Sequence, residues 1–226
     1  MNKKVKTLII SIGTGRSGSV SLSKFLSHQK SMYVLHEGRI KEKKIRKLFK
    51  WKDDEINIFD WIEELKKYNN TNDFFGDTGM YYLPYAKKLI NRYPHIKIIG
   101  LIRDKNEVVN SYLRKTKGRN HWYNHDGKEW KKDKKWDPCY PKFNEKNKKI
   151  ALEKYWDDYH LKTKELQNLY PENLKMWKIN EFNTEKGKNE ILDFLNYNLK
   201  RDVSNDFKLN QIKRKNIFEK IKEKWF

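Results

Sequence analysis

Cysteine is almost missing from this chain: Cys139 is the one cysteine in 226 residues. That excludes an intrachain disulfide and fits a reducing compartment. Long apolar runs are missing as well. No stretch approaches the length of a membrane span, so no membrane partner of that kind is expected. The first strand-like segment starts within a few residues of Met1, and the expectation is a chain with no signal peptide, read as cytoplasmic. Hydrophobic residues make up only 37% of the sequence, and no internal repeat is present. Acidic residues are the minority charge, 30 against 51 Lys and Arg, which leaves a formal net charge of +21. Such an excess suits an anionic partner: a nucleotide, an acidic substrate, nucleic acid or an anionic membrane surface. Lys and Asn are abundant throughout, however, so much of the charge reads as a solvated surface, and no specific nucleic-acid partner is expected. Nothing in the sequence specifies an oligomeric state.

What is present is one strongly patterned stretch near the start, Leu8 to Phe25, LIISIGTGRSGSVSLSKF. An apolar run, a turn holding Gly13, Gly15 and Gly18, and the start of an amphipathic helix read as a buried parallel strand feeding a phosphate-binding loop. The first turn of a helix leaves backbone N–H groups without intrahelical partners and carries the positive end of the helix dipole, so an anion is its natural guest. Glycines let the backbone approach that guest, and Ser17, Ser19 and Ser21 add hydroxyl donors. The ATP-type loop reads G-x-x-x-x-G-K-[ST]. Gly13 and Gly18 have its spacing, but Ser19 stands where the lysine belongs, and Val20 has no hydroxyl for a magnesium ion. Arg16 is the strong cation within the loop.

A second patterned stretch is KIIGLIRDKNEVVNSYLRK, an apolar strand ending in Arg103 with Ser111 eight residues on. Burying an arginine at the mouth of a strand is unfavourable unless its guanidinium has an anion, and Arg grips phosphate with a fork of donors. The competing reading is a salt bridge to Asp104 or Glu107.

Together the two stretches resemble the sulfotransferases that use 3′-phosphoadenosine 5′-phosphosulfate (PAPS). Their loop has the form [KR]-[ST]-G-[ST]-x-x, here Arg16-Ser17-Gly18-Ser19-Val20-Ser21, and their second motif is a strand ending in Arg followed by Ser. The resemblance implies an α/β fold of three layers, with a central and mainly parallel sheet of about five strands, related to the P-loop NTPases. It implies transfer of a sulfuryl group to an acceptor hydroxyl or amine, with PAP as the product and no metal. Gly15, Arg16, Ser17, Gly18, Ser19, Val20 and Ser21 would hold the 5′-phosphate, and Arg103 and Ser111 the 3′-phosphate. Arg16 would also neutralise charge developing on the sulfuryl oxygens. Two departures stand out: Val20 where many members have a second Thr, and Arg16 where the cytosolic branch has Lys.

Sulfuryl transfer needs a group to take the acceptor's proton. His36-Glu37-Gly38-Arg39 follows the short strand Tyr33 to Leu35, at the strand edge where open α/β sheets bind ligands. Several branches of the family place a glutamate there, so Glu37 is the expected base and His36 the second choice. The alternative is that Glu37 pairs with Arg39 or Arg16 and only orders the loop.

The other elements expected from periodicity are a strand from Val5 to Ile12, a helix from Ser19 to His28 and a basic helical stretch from Ile40 to Lys50. A further helix, Asp53 to Tyr68, should bury Ile56, Phe59, Ile62 and Leu65. A strand from Asp73 to Gly76 precedes Asp77, read as a helix cap in preference to a substrate contact. Then come a helix from Tyr81 to Tyr93, a strand from Ile96 to Ile102 and a helix from Asn106. Last are a helix from Ile150 to Tyr170, a strand from Leu174 to Ile179 and a helix from Glu185 to Tyr197. Residues 1–226 read as one domain. Residues 115–147, with Trp122, Tyr123, Trp130, Trp136 and Tyr140 among lysines, read as an ordered insertion covering the active site and as the acceptor site, favouring a glycan or another polar acceptor. His121, His125 and Cys139 match no zinc spacing. The basic tail 200–226 offers Lys213-Arg214-Lys215 as a counterpart to the basic loop that many family members place on the 3′-phosphate. The rival readings are a nucleotide or small-molecule kinase with a degenerate loop, and a basic nucleic-acid-binding protein.

Overall fold

The computed structural model describes residues 6–40, 45–69 and 71–204. In chain order the elements are β1 (Thr7–Ile12), α1 (Ser19–His28), β2 (Met32–His36), β3 (Arg39–Ile40), β4 (Ile45–Arg46), α2 (Glu55–Tyr68) and β5 (Phe74–Thr78). A 3-10 turn, Met80–Tyr85, leads into α3 (Ala86–Arg92), followed by β6 (Lys97–Ile102) and α4 (Lys105–Lys115). A short 3-10 turn at Asp137–Cys139 precedes α5 (Lys148–Leu169), β7 (Leu174–Lys178), α6 (Ile179–Phe182) and α7 (Glu185–Phe194).

The central sheet has five strands in the order β2-β5-β1-β6-β7, all parallel. β1 lies at its centre, and its alternating side chains divide the core. Leu8, Ile10 and Ile12 join a cluster with α2, α4 and α5, whereas Ile9 joins a second cluster with Leu22 and Phe25 of α1 and Ile191 of α7. A parallel strand must be apolar on both faces to be covered twice, which is why β1 reads as a continuous apolar run. Helices on both sides give the three-layer α/β architecture expected from the sequence.

Three expected helices differ. Among its described residues the Ile40 to Lys50 stretch is not helical: β3 and β4 form a small antiparallel pair, with Arg39 opposite Arg46. Glu37 and Gly38 both take left-handed backbone angles (φ 52° and 57°), which turns the chain back on itself after β2. The Lys47 amide then bonds Gly38 O at 3.1 Å. Burial of Phe49 and Trp51 in the larger cluster overrides the local helical pattern. In α2 the buried face is Ile58, Trp61, Ile62 and Leu65, and Ile56 is 76% exposed. The true stripe follows the i, i+3, i+4, i+7 spacing from Ile58. The Tyr81 to Tyr93 helix divides at Tyr85, because Met80–Tyr85, with Pro84 inside it, is 3-10. Lys213-Arg214-Lys215 lies outside the described residues.

Candidate active site

The loop between β1 and α1 is held from behind by three tyrosines. Tyr112 Oη and Tyr155 Oη both donate to Thr14 O, at 2.7 and 3.0 Å. Tyr159 Oη accepts from Gly13 N and donates to Met80 O, each at 2.9 Å. All three side chains are buried in the larger core cluster on α4 and α5, so the loop backbone is anchored to the core. Gly15 takes φ 76°, and a Cβ there would come 2.1 Å from Tyr112 Oη. Gly18 takes φ 100° as the N-cap of α1, and no side chain caps that helix. Within the loop Ser17 is 1% exposed; its Oγ faces Gly13 and has no hydrogen-bond partner among the described residues. An orphaned hydroxyl beside an uncapped helix N-terminus is the arrangement an anion completes. Ser19, at the start of α1, is half-buried, as is Val20, while Ser21 is buried.

Arg16 joins the two sequence motifs. Its Nε donates to Ser111 Oγ at 3.0 Å, and its carbonyl oxygen accepts from Arg103 Nη1 at 3.0 Å. Ser111 on α4, 8% exposed, therefore faces the loop rather than solvent. Arg103 also pairs through Nε with Glu107 at 2.6 Å, so the competing salt-bridge reading is realised alongside the loop contact. With Glu107 56% exposed, the pair adds little stability and leaves a ligand free to displace the carboxylate. Asp104 does not pair with Arg103; it caps α4 by accepting from Glu107 N. Trp156 Nε1 donates to Arg103 O at 3.0 Å and fixes the backbone at the mouth of β6.

Glu37 and His36 lie at the end of β2. Glu37 pairs with Arg46 of β4, neither with Arg39 nor with Arg16, and Arg46 also lies over the Trp136 ring at 4.7 Å. His36 Nδ1 is 3.1 Å from Thr78 Oγ1, and the same hydroxyl is 3.4 Å from Ser19 O at the head of α1. Burial first, and then the Arg46 charge, hold the imidazole down at about 4; Arg39 and Arg16 act in the same direction. At neutral pH His36 is therefore neutral and a weak base.

Asp77 is neither a helix cap nor exposed to a substrate. It is fully buried, and its carboxylate accepts from Gly38 N, Thr78 N and Tyr82 Oη. Burial pushes its pKa up to about 6, against those hydrogen bonds.

Within residues 115–147, Trp122 and Tyr140 are buried against Tyr112 and Tyr155, leaving Tyr123, Trp130 and Trp136 with exposed surface. His121 pairs with Asp137 at 2.6 Å. No group of three or more His, Cys, Asp or Glu residues among the described residues is arranged to hold a metal.

Sequence reasoning missed Arg46, Thr78 and the three loop-anchoring tyrosines. Arg46 reaches Glu37 only through the β3–β4 pairing, which leaves no local signal. Tyr112, Tyr155 and Tyr159 read as core aromatics of amphipathic helices, and their hydroxyl bonds to Gly13 and Thr14 span from 98 to 146 residues of sequence. Thr78 carried one usable signal, its place at a strand's C-terminal edge.

No helix among the described residues is long and apolar enough to cross a membrane. A search of curated proteins finds no match. Among solved structures the chain is similar to a sulfotransferase from Alicyclobacillus acidocaldarius, at 15% identity over 89% of this chain and 86% of that one, with a TM-score of 0.52. It is also similar to mouse sulfotransferase SULT7A1 complexed with PAP, at 13% identity over 88% of this chain and 62% of that one, with a TM-score of 0.47. At such identities the Alicyclobacillus likeness is one of fold. The sulfotransferase domain model matches residues 8–204 and takes in both motifs joined by Arg16, so the chain belongs to the sulfotransferase domain family.

Proposed function

We propose that this sulfotransferase takes its sulfuryl group from PAPS and delivers it to a polar acceptor. The observation that carries the reading is the double contact of Arg16, whose side chain bonds Ser111 and whose backbone bonds Arg103. It puts two anion-binding elements side by side, as a nucleotide with two separated phosphates requires.

In this reading the amides of Gly15, Arg16, Ser17, Gly18, Ser19, Val20 and Ser21, with the hydroxyls of Ser17 and Ser19, hold the 5′-phosphate. Arg103 and Ser111 hold the 3′-phosphate. The bound nucleotide supplies the sulfuryl group. Arg16 keeps its Nε on Ser111 and turns its remaining guanidinium donors toward the oxygens on which charge grows. Like phosphoryl transfer, the reaction then depends chiefly on placement and charge stabilisation, with no metal required.

Glu37 takes the proton from the acceptor oxygen. His36 serves through its contact with Thr78. Arg46 holds the Glu37 carboxylate until an acceptor hydroxyl competes for it. The acceptor lies along residues 115–147, where the half-buried rings of Tyr123, Trp130 and Trp136 are of the kind that stack on a saccharide. That segment belongs to the same single domain, which works in the cytoplasm.

The test is incubation with sulfur-labelled PAPS and a panel of saccharides, phenols and alcohols. Label transferred to a saccharide supports the whole reading; label transferred to none, with no PAP released, overturns it.

A further inference from the structure

Asp77 is a buried carboxylate with no ion pair among the described residues. Burying an ionisable group in this way is unfavourable unless its hydrogen bonds are made to purpose. Its donors surround the residues proposed for proton transfer. Gly38 N, directly after Glu37, reaches both carboxylate oxygens at 3.1 and 2.9 Å. Thr78 N reaches Oδ1 at 2.9 Å, and the hydroxyl of the same Thr78 meets His36 Nδ1. Tyr82 Oη closes the set on Oδ2 at 2.7 Å.

The sheet explains the geometry. β2 and β5 run parallel with Leu35 opposite Asp77 and His36 opposite Thr78, so Asp77 sits one residue below the edge at which β2 ends. Beyond that edge Glu37 and Gly38 are both left-handed, a conformation that an L-glutamate adopts only when its surroundings impose it. Thr78 O accepts from Glu37 N at 2.9 Å, and Asp77 accepts from the next amide in the chain. A Cβ on Gly38 would meet Lys47 at 2.6 Å, so the turn has one fixed path.

We infer that Asp77 is the positioning residue of the active site: its carboxylate clamps the amide after Glu37 and the residue that holds His36, and thereby fixes where both side chains stand. The inference rests on the proposed role of Glu37 and goes beyond it. It explains why the Glu37 turn is built over an ionisable group rather than an apolar one.

The experiment is a double-mutant cycle of Asp77→Asn and Glu37→Gln, read as PAPS turnover on an acceptor panel and as PAP affinity by calorimetry. PAP binding by the unmodified protein, and loss of turnover in Glu37→Gln, test the parent reading separately. Asp77→Asn should lower kcat on the order of 100-fold, the scale of a misplaced reacting group, with PAP affinity retained. Combined with Glu37→Gln it should add nothing, because a misaimed carboxylate that is already absent has nothing further to lose. A purely structural role would multiply the two losses. Tyr82→Phe, which removes one donor and little volume, should give a smaller kcat loss in the same sense and serves where Asp77→Asn does not fold. Unchanged kcat in both variants, or losses that multiply with Glu37→Gln, overturn the inference.

Discussion

Arg16 Nε donates to Ser111 Oγ across 95 residues of sequence, at 3.0 Å. This bond joins the glycine loop after β1 to the helix after β6. Arg103 repeats the connection through the Arg16 backbone.

Ser111→Ala removes the acceptor for a charged donor in a nearly buried position. The expected consequence is PAP affinity weaker by about 1.5–3 kcal/mol, the range for hydrogen bonds to charged groups, with the fold retained. Calorimetric titration of the variant checks it, and equal affinity would show that Ser111 takes no part in holding the nucleotide.

Glu37→Gln keeps the volume of the side chain and removes its basicity. Turnover should fall about 10²–10⁴-fold, the usual share of a general base. PAP affinity should hold, since Glu37 contacts Arg46 rather than the loop. A variant with full turnover at every acceptor tested would move the base elsewhere.

Gly15→Ala and Gly118→Ala form a matched pair, because both glycines have φ near +77° (76° and 77°). A Cβ at Gly118 meets nothing within 4 Å, so Gly118→Ala should lose only about 1–2 kcal/mol from the left-handed backbone. At Gly15 the new methyl meets the hydroxyl of Tyr112, which is buried and bonded to Thr14 O. Gly15→Ala should therefore lose more stability and PAP binding together. Denaturant midpoints and PAP titrations on the pair distinguish backbone strain from damage to the site.

His36 and Asp77 give opposite pH dependences of stability. His36 falls from 6.5 unfolded to about 4 folded, through burial first and Arg46 second. On acidification across that window the unfolded chain binds the proton first, and stability is lost. Asp77 rises from 3.8 to about 6 through burial. Between those values the folded chain binds the proton first, and stability is gained. The slopes, each up to about 1.4 kcal/mol per pH unit, oppose one another between pH 4 and 6. In His36→Gln the Asp77 contribution is no longer opposed by that of His36. Relative to the unmodified protein the variant should gain about 1.5–2 kcal/mol on going from pH 6 to 4.5. Urea midpoints at the two pH values measure it; parallel curves would mean that the imidazole is not depressed.

How much the sequence disclosed follows the range of each interaction. The loop, α1, β6 and α4 were legible because their signals are local: apolar runs, glycine spacing, and an arginine followed by a serine at fixed separation. The family resemblance assigned the loop and the Arg103–Ser111 pair to one nucleotide, but the bond from Arg16 to Ser111 had no signal in the sequence. The Ile40 to Lys50 segment was misread because its charges suit a helix, while its conformation is set by the left-handed Glu37–Gly38 turn and by burial of Phe49 and Trp51. The partner of Glu37 followed from that error. Arg46 could be recognised only once β3 and β4 were paired. The register slip in α2, from Ile58 to Ile56, arose because two apolar stripes overlap at Ile62 and Leu65 and burial alone chooses between them.

The central claim is that one bisphosphorylated adenosine bridges the loop and Arg103, and magnesium-free titration with PAP, set against ATP with magnesium, tests it most directly. The account predicts saturable PAP binding that Arg103→Ala abolishes without unfolding the protein, and weak or no response to ATP with magnesium. Binding of ATP with magnesium in preference to PAP, or PAP affinity untouched by Arg103→Ala, would contradict it.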